Sequence, residues 1–272
     1  MRPDFSKIVW TETGKFQVGS QTFQTQTFGP KMDTASDAFI LYKEPKHFEL
    51  YSSWWPASFA PSDVLELGIW AGGSVVFWNE MIQPKQLSGL DIEKPESLGP
   101  DNWANVQRYQ NQHGSVVRLY WNTSQGDSAA VGRIIKEDFP TGIDFVIDDA
   151  SHFYSLSRAS FEIIFPHVRP GGWYVIEDWP WDVVDPFPGQ EGFLRSGHPL
   201  SLLITDLVRM TGTEKNFVAA VYVIRSFTFV QRGPAPLQSG FSIADHLPKP
   251  KLKDVERVAR RFASHLRGRR GW

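Results

Sequence analysis

From Pro61 onward, short apolar runs alternate with longer amphipathic stretches, and turn residues separate them. Asp63–Gly68 reads as a buried strand ending at glycine. Gly73 to about Ile82 reads as a helix with Ser74 near its start and Pro84 closing it. Leu87–Ile92 is a second strand, Asn102 to about His113 a helix, and Val116–Tyr120 a third strand. A helix over about Ala129–Asp138 leads into a fourth strand, Asp144–Asp149, and Ser155 to about Phe165 is the next helix. Pro170-Gly-Gly172 reads as a turn into a fifth strand, Leu200–Met210 as a helix, and Val221–Ile224 with Phe227–Val230 as a final strand pair. This order predicts an α/β chain built on an open, doubly wound sheet.

The flanks are less regular. Residues 1–60 are aromatic-rich and show no clear strand–helix alternation, which suggests an N-terminal extension or lid. The Pro/Gly-rich stretch 179–198 is expected to form a mobile loop over the site, and Leu252–Arg270 a basic, solvated helix or frayed tail. The expected division is therefore 1–60 extension, 61–232 catalytic domain and 233–272 basic tail.

Composition narrows the class. The 272 residues are 41% hydrophobic with a net charge of −2, so no global basic field points to nucleic acid or a membrane. The absence of cysteine excludes disulfides, thiolate metal sites and cysteine nucleophiles. No run has transmembrane length and the start lacks an apolar signal core, so a cytoplasmic protein is the expectation. The chain carries 11 tryptophans. Trp70, Trp78, Trp103 and Trp121 fit core and rim positions, whereas Trp179 and Trp181 follow an acidic strand end and fit a pocket wall.

Candidate chemistry concentrates at two strand ends, Phe145-Val-Ile-Asp-Asp-Ala-Ser-His152 and Gly171-Gly-Trp-Tyr-Val-Ile-Glu-Asp178. In a parallel sheet both acidic pairs emerge at the carboxyl edge, where ligands bind. Carboxylates converging there repel one another unless a cation sits among them, and an all-oxygen set suits Mg²⁺. After the first strand comes Glu66-Leu-Gly68-Ile-Trp-Ala-Gly72-Gly73-Ser74, a turn open enough for close approach of a nucleotide-type ligand. Its spacing matches neither the dinucleotide nor the P-loop fingerprint. Glu66 suits an amine-bearing ligand better than a pyrophosphate, and Asp91, closing the second strand, can accept from ribose hydroxyls. A ligand with a ribose, an amino group and no phosphate is S-adenosylmethionine.

Glu66-x-Gly68-x-x-x-Gly72-Gly-Ser74, Leu90-Asp91-Ile, Gln125-Gly-Asp127, Ile147-Asp-Asp-Ala-Ser-His152 and Pro170-Gly-Gly-Trp-Tyr-Val-Ile-Glu-Asp178 occur in this order. The string resembles the metal-dependent class I methyltransferases typified by the macrocin and mycinamicin sugar O-methyltransferases, over about Val64–Trp179. The resemblance implies a Rossmann-like, mostly parallel sheet with an antiparallel last strand. It implies that Glu66, Gly68, Ser74 and Asp91 contact the cofactor, with Gln125, Gly126 and Asp127 near adenine. Asp148 is grouped with these contacts, the plain alternative being a carboxylate that supports its neighbour. Asp149, Glu177 and Asp178 are implied as Mg²⁺ ligands and His152, beside Asp149, as general base. The family usually has glycine where Ala150 stands, which bears on how His152 is oriented.

The expected activity is S-adenosylmethionine- and Mg²⁺-dependent methyl transfer to a hydroxyl of a sugar or glycosylated natural product. An imidazole is the side chain best suited to take that proton near neutrality. A catechol-like phenol acceptor and a non-catalytic S-adenosylmethionine-binding protein are the alternatives, and a nicotinamide oxidoreductase fits the glycine spacing worst. The expected partner is a small-molecule or saccharide acceptor, with no nucleic acid and no membrane; the sequence leaves homo-oligomerisation open.

Overall fold

A computed structural model of the chain describes residues 2–26, 37–98, 100–182, 198–213, 215–238 and 240–247. Seven strands form the main sheet: β5 (Asp63–Leu67), β6 (Gln86–Leu90), β7 (Val117–Tyr120), β8 (Ile143–Asp148), β9 (Val168–Ile176), β10 (Val218–Ile224) and β11 (Phe227–Arg232). Their spatial order is β10-β11-β9-β8-β5-β6-β7. Strands β5 to β9 pair in parallel, while β11 runs antiparallel to β9 and β10 antiparallel to β11. The expected doubly wound sheet with an antiparallel last strand is thus present. It reverses strand order between β5 and β8, the switch point at which ligands bind such sheets.

Two apolar layers sandwich this sheet because its strands alternate. Phe145, Ile147, Trp173, Val175, Phe227 and Phe229 face one layer, while Val146, Tyr174, Ile176 and Val230 face the other. The second layer is completed by α4 (Ser128–Asp138), α5 (Tyr154–Ile164) and α6 (Leu200–Thr211), each buried along one stripe. The first is covered by α2 (Gly73–Ile82), α3 (Pro100–His113) and the N-terminal residues. A single turn, α7 (Ile243–His246), follows on the second side.

The N-terminal region departs from its expected irregularity. It holds a second sheet in the order β1 (Val9–Glu12), β2 (Lys15–Val18), β3 (Gln21–Thr25) and β4 (Phe39–Leu41), followed by α1 (Pro45–Trp54). Strands of three to five residues are too short to display a countable alternation. Pro45 in its first turn and the reciprocal bonding of Glu44 and His47 start α1. Tyr51, Trp54 and Trp55 then point into the first layer, where Trp54 lies flat on Phe229 with ring centroids 3.8 Å apart. Strand β4 reaches α2 only because position 73 is glycine: a Cβ there would lie 2.1 Å from the Ile40 carbonyl oxygen. This second sheet is therefore part of the core around Phe16, Phe23, Phe39 and Phe77.

Two smaller differences concern β9 and the flanking segments. The expected Pro170–Gly172 turn lies inside β9, where the pairing with β8 skips a register step. Of the loop 179–198, only Trp179–Asp182, a short 3₁₀ turn, and His198 are described; 183–197 and the tail 248–272 lie outside the described residues.

Candidate active site

Alternation along the strands sorts the acids. Glu66 on β5, Asp149 after β8 and Glu177 after β9 fall on the same face as Ile147 and Val175, beneath the N-terminal residues. Lys43, two residues beyond β4, enters among them. Its Nζ donates to Asp149 Oδ2 at 2.9 Å and to Glu177 Oε2 at 2.7 Å. Tyr51 Oη donates to Glu177 Oε1 at 2.6 Å, so both Glu177 oxygens are bonded within the protein. The side chains of Lys43 and Glu177 are each only 2% exposed. Burial pulls the lysine down, but Asp149, Glu177 and Glu66 outweigh it and hold the ammonium above its ordinary range. Burial raises the carboxyls of Asp149 and Glu177 despite that cation.

Adjacent residues of an extended strand point to opposite faces, so Asp178 could not join Glu177 without a backbone turn. Asp178 makes that turn: its φ is +51°, and His152 likewise sits at +56°. Left-handed backbone in non-glycine residues costs free energy and clusters where a site requires it. The left-handed residue after β8 is His152, and Ala150 is not among those with positive φ. Ligand atoms of Asp149, His152 and Asp178 all lie within 4.8 Å of one another, close enough to share one ion. Asp149 divides its oxygens between the two groups: Oδ2 takes Lys43, while Oδ1 is 4.0 Å from His152 Nε2.

Beside this trio a cavity of about 260 Å³ opens at the switch point, bounded by Gly68, Trp70, Asp91, Glu93, Ser124 and Asp149 among others. Gly68 (φ +80°) lets β5 turn against the end of β8, since a Cβ would lie 2.2 Å from the Asp149 carbonyl oxygen. Asp91 accepts from the Trp70 backbone N–H at 2.6 Å and the Glu93 N–H at 2.8 Å, which aims the carboxylate and leaves a lone pair on each oxygen. Glu66 is fully buried and neither of its oxygens makes a well-formed hydrogen bond, although the Ser74 hydroxyl is close enough to act on it. Burial raises its carboxyl to about 8; Lys43 and the nearby Ser74 hydroxyl offset this only in part. The Asp91 lone pairs fit hydroxyl donors such as those of a ribose, while the Glu66 carboxyl lies fully buried behind the cavity wall.

The other sequence-predicted residues are spread more widely. Asp148 points to the opposite face, where it accepts from Tyr174 Oη at 2.7 Å, Ser160 Oγ at 2.9 Å and Gln125 Nε2 at 3.1 Å. Gln125 reaches the cavity wall, yet its amide is bonded to Asp148, Ser160 and the Ser151 N–H. Asp127 is exposed and caps α4 by accepting from the Ala129 and Ala130 N–H groups. Glu66, Ser74, Gly126, Asp127 and Asp148 are not among the cavity-lining residues. Trp70, expected at core or rim, borders the cavity 38% exposed and meets Tyr42 edge-on at 5.4 Å. A larger open cleft of about 720 Å³, between the N-terminal turn and α1, touches none of these site residues.

Sequence reasoning missed Lys43 and Tyr51. The available signal was charge balance: several buried acids demand a cation, and a lysine can supply it as well as a metal.

The strand order, the cavity at the switch point and the acid-lined carboxyl edge together define a methyltransferase-type domain. Residues 65–179 match the family model described as a methyltransferase domain. Demethylmacrocin O-methyltransferase of Streptomyces fradiae is 32% identical over 190 residues, covering 62% of this chain and 44% of that protein. Mycinamicin VI 2''-O-methyltransferase of Micromonospora griseorubida is 32% identical over 191 residues, covering 62% and 43%. A solved structure of MycE methyltransferase in complex with Mg and SAH is 29% identical, covering 69% of this chain and 48% of that one, with a TM-score of 0.45. The chain spans less than half the length of the curated relatives it matches.

Proposed function

We propose that this chain is an S-adenosylmethionine- and Mg²⁺-dependent O-methyltransferase acting on a hydroxyl of a sugar in a glycosylated natural product. One observation carries the reading: Asp149 borders the cavity and is also a member of the Asp149–His152–Asp178 trio, so a methyl donor and an acceptor hydroxyl would meet at one residue. The sugar acceptor is supported by the names of the two similar proteins, which act on demethylmacrocin and mycinamicin VI.

When bound, S-adenosylmethionine supplies an electrophilic methyl group and Mg²⁺ a Lewis acid that makes the acceptor hydroxyl easier to deprotonate. Glu66 would accept from the donor's amino group and Asp91 from its ribose hydroxyls, with Gly68 keeping the wall open. Asp149 and Asp178 would hold the ion. His152 would take the hydroxyl proton at Nε2 as the acceptor oxygen displaces S-adenosylhomocysteine from the methyl carbon, the C–S bonding pair returning to sulfur and leaving a methyl ether and an imidazolium. Because the hydroxyl and the methyl are brought together by the same wall, much of the rate comes from orientation.

Turnover of demethylated macrolide glycosides with labelled S-adenosylmethionine tests this. Label transfer should vanish in EDTA and return with Mg²⁺. His152→Ala should lower kcat about 10²–10⁴-fold while S-adenosylhomocysteine affinity holds. Full turnover in chelator removes the metal from the reaction, and transfer to catechols alone replaces the acceptor.

A further inference from the structure

We propose that Lys43 is the resident cation of this site: it withdraws Glu177 from a divalent ion and leaves Asp149 Oδ1 and Asp178 as the carboxylate oxygens that meet the ion. The inference rests on the metal-dependent reading above and assigns a positioning role to a residue of the N-terminal region. Four carboxylates gather here, from Glu66, Asp149, Glu177 and Asp178, yet they do not share one centre. The ammonium bonds Asp149 Oδ2 and Glu177 Oε2, and Tyr51 takes the remaining Glu177 oxygen. The group with ligand atoms near one point contains Asp149, His152 and Asp178, without Glu177. A second positive charge brought to the Glu177 oxygens would be repelled by an ammonium already 2.7 Å from one of them. The same ammonium fixes the rotation of Asp149, so that Oδ1 is turned toward His152.

Two features make this a built arrangement. Lys43 lies 106 residues from Asp149 and 134 from Glu177, so the pairing exists only because β4 docks on α2 through Gly73. It also leaves Glu66, buried in the same cluster, outside the Lys43 hydrogen bonds and with only the Ser74 hydroxyl acting on it, so this carboxylate is not tied up by the ammonium. The fixed cation, the buried Glu66 carboxyl and the ion-facing carboxylates beside His152 are thereby separated within a single cluster. Residues 37–54 are then part of the reaction site as well as of the core.

Mn²⁺ binding followed by electron paramagnetic resonance tests the division of labour, with S-adenosylhomocysteine calorimetry on the same proteins. Asp178→Asn should weaken Mn²⁺ by about tenfold or more, since even a residue that only supports a metal ligand typically contributes that much and Asp178 would meet the ion directly. Glu177→Gln should weaken Mn²⁺ clearly less than Asp178→Asn, because its oxygens serve Lys43 and Tyr51 and the ion loses a nearby charge but no ligand. Lys43→Met should tighten Mn²⁺ about tenfold, since the freed oxygens and the lost positive charge both favour a divalent ion. Loss of Mn²⁺ in Glu177→Gln equal to that in Asp178→Asn overturns the proposal, as does unchanged or weaker binding in a folded Lys43→Met protein. If Lys43→Met does not fold, the Glu177→Gln and Asp178→Asn pair decides. Mn²⁺ binding by Lys43→Met but not by the wild type upholds the role of Lys43 and ends the metal-dependent reading. Binding by neither ends both. A wild type that fails to bind S-adenosylhomocysteine ends the methyl-transfer reading alone, and the Mn²⁺ results still judge Lys43.

Discussion

Asp148 and Asp149 are neighbours in the chain, yet they sit on opposite faces of the sheet and are buried by different means. Asp148 is held by neutral donors, the hydroxyls of Tyr174 and Ser160 and the amide of Gln125. Asp149 and Glu177 share the ammonium of Lys43, and Asp149 keeps one oxygen turned to His152 and Asp178. Each of these three groups is bonded within one network around Asp148, which gives rigidity and leaves little for a ligand. The second face retains Glu66 without a well-formed hydrogen bond and three non-glycine residues, Trp70, His152 and Asp178, in left-handed backbone. Unspent polar groups and stored strain mark where chemistry is expected. Two acids that look alike in sequence therefore have different jobs, assigned by the two-residue period of the strand.

Breaking the charged face should cost most. Lys43→Met leaves the buried Glu177 carboxylate without its cation, and loss of one partner of such a pair costs about 3–5 kcal/mol. Urea denaturation should show it as a lower midpoint with an unchanged slope. A loss below about 1 kcal/mol would mean that water or a bound ion replaces the ammonium.

Glu66 sharpens the contrast through pH. Its carboxyl is raised from 4.5 to about 8, so the folded protein keeps a proton that the unfolded chain releases across that range. Stability contributed by this group is present below pH 4.5 and is lost as pH rises toward 8. Glu66→Gln has no such proton to lose. In the ligand-free protein it should be the more stable form at pH 9 by roughly 2–4 kcal/mol, with the difference closing near pH 5. A difference independent of pH between 5 and 9 would show that Glu66 ionises in the fold as it does in the open chain.

The sheet was legible because its strands are apolar runs bounded by turns, and Asp63–Gly68 and Asp144–Asp149 fall within a residue of β5 and β8. The N-terminal sheet was not. Its strands are short, and the parallel pairing of β3 with β4 brings together segments 13 or more residues apart, which no local pattern reports. The same difference runs through the site. Asp91, Asp149, His152 and Asp178 announce themselves at strand ends, whereas Lys43 in Tyr-Lys-Glu-Pro carries no pattern and gains its meaning from a partner more than 100 residues away. Strand alternation would have separated Asp148 from Asp149 in advance. The turn that brings Asp178 back could not be foreseen, since nothing in Glu-Asp-Trp requires a left-handed aspartate.

The neutral face should yield the smallest effect, and Tyr174→Phe measures it. The substitution keeps the ring packed against Phe161 and removes only the hydroxyl that donates to Asp148 Oδ2. A hydrogen bond to a charged acceptor contributes about 1.5–3 kcal/mol, and because Ser160 and Gln125 still bond the carboxylate, the loss should fall at the lower end. The effect carries its own pH signature. Burial raises Asp148 to about 6, and the bond from Tyr174 holds it down against that rise. Without the bond the folded carboxyl should titrate higher, so the variant keeps its proton longer and loses more stability than the wild type as pH climbs past 6. The difference between the two proteins should therefore be small at pH 5 and fully developed by pH 8. A cost that is equal at both pH values would mean that Asp148 does not titrate between them in the fold, a small cost pointing to the protonated form and a large one to the carboxylate.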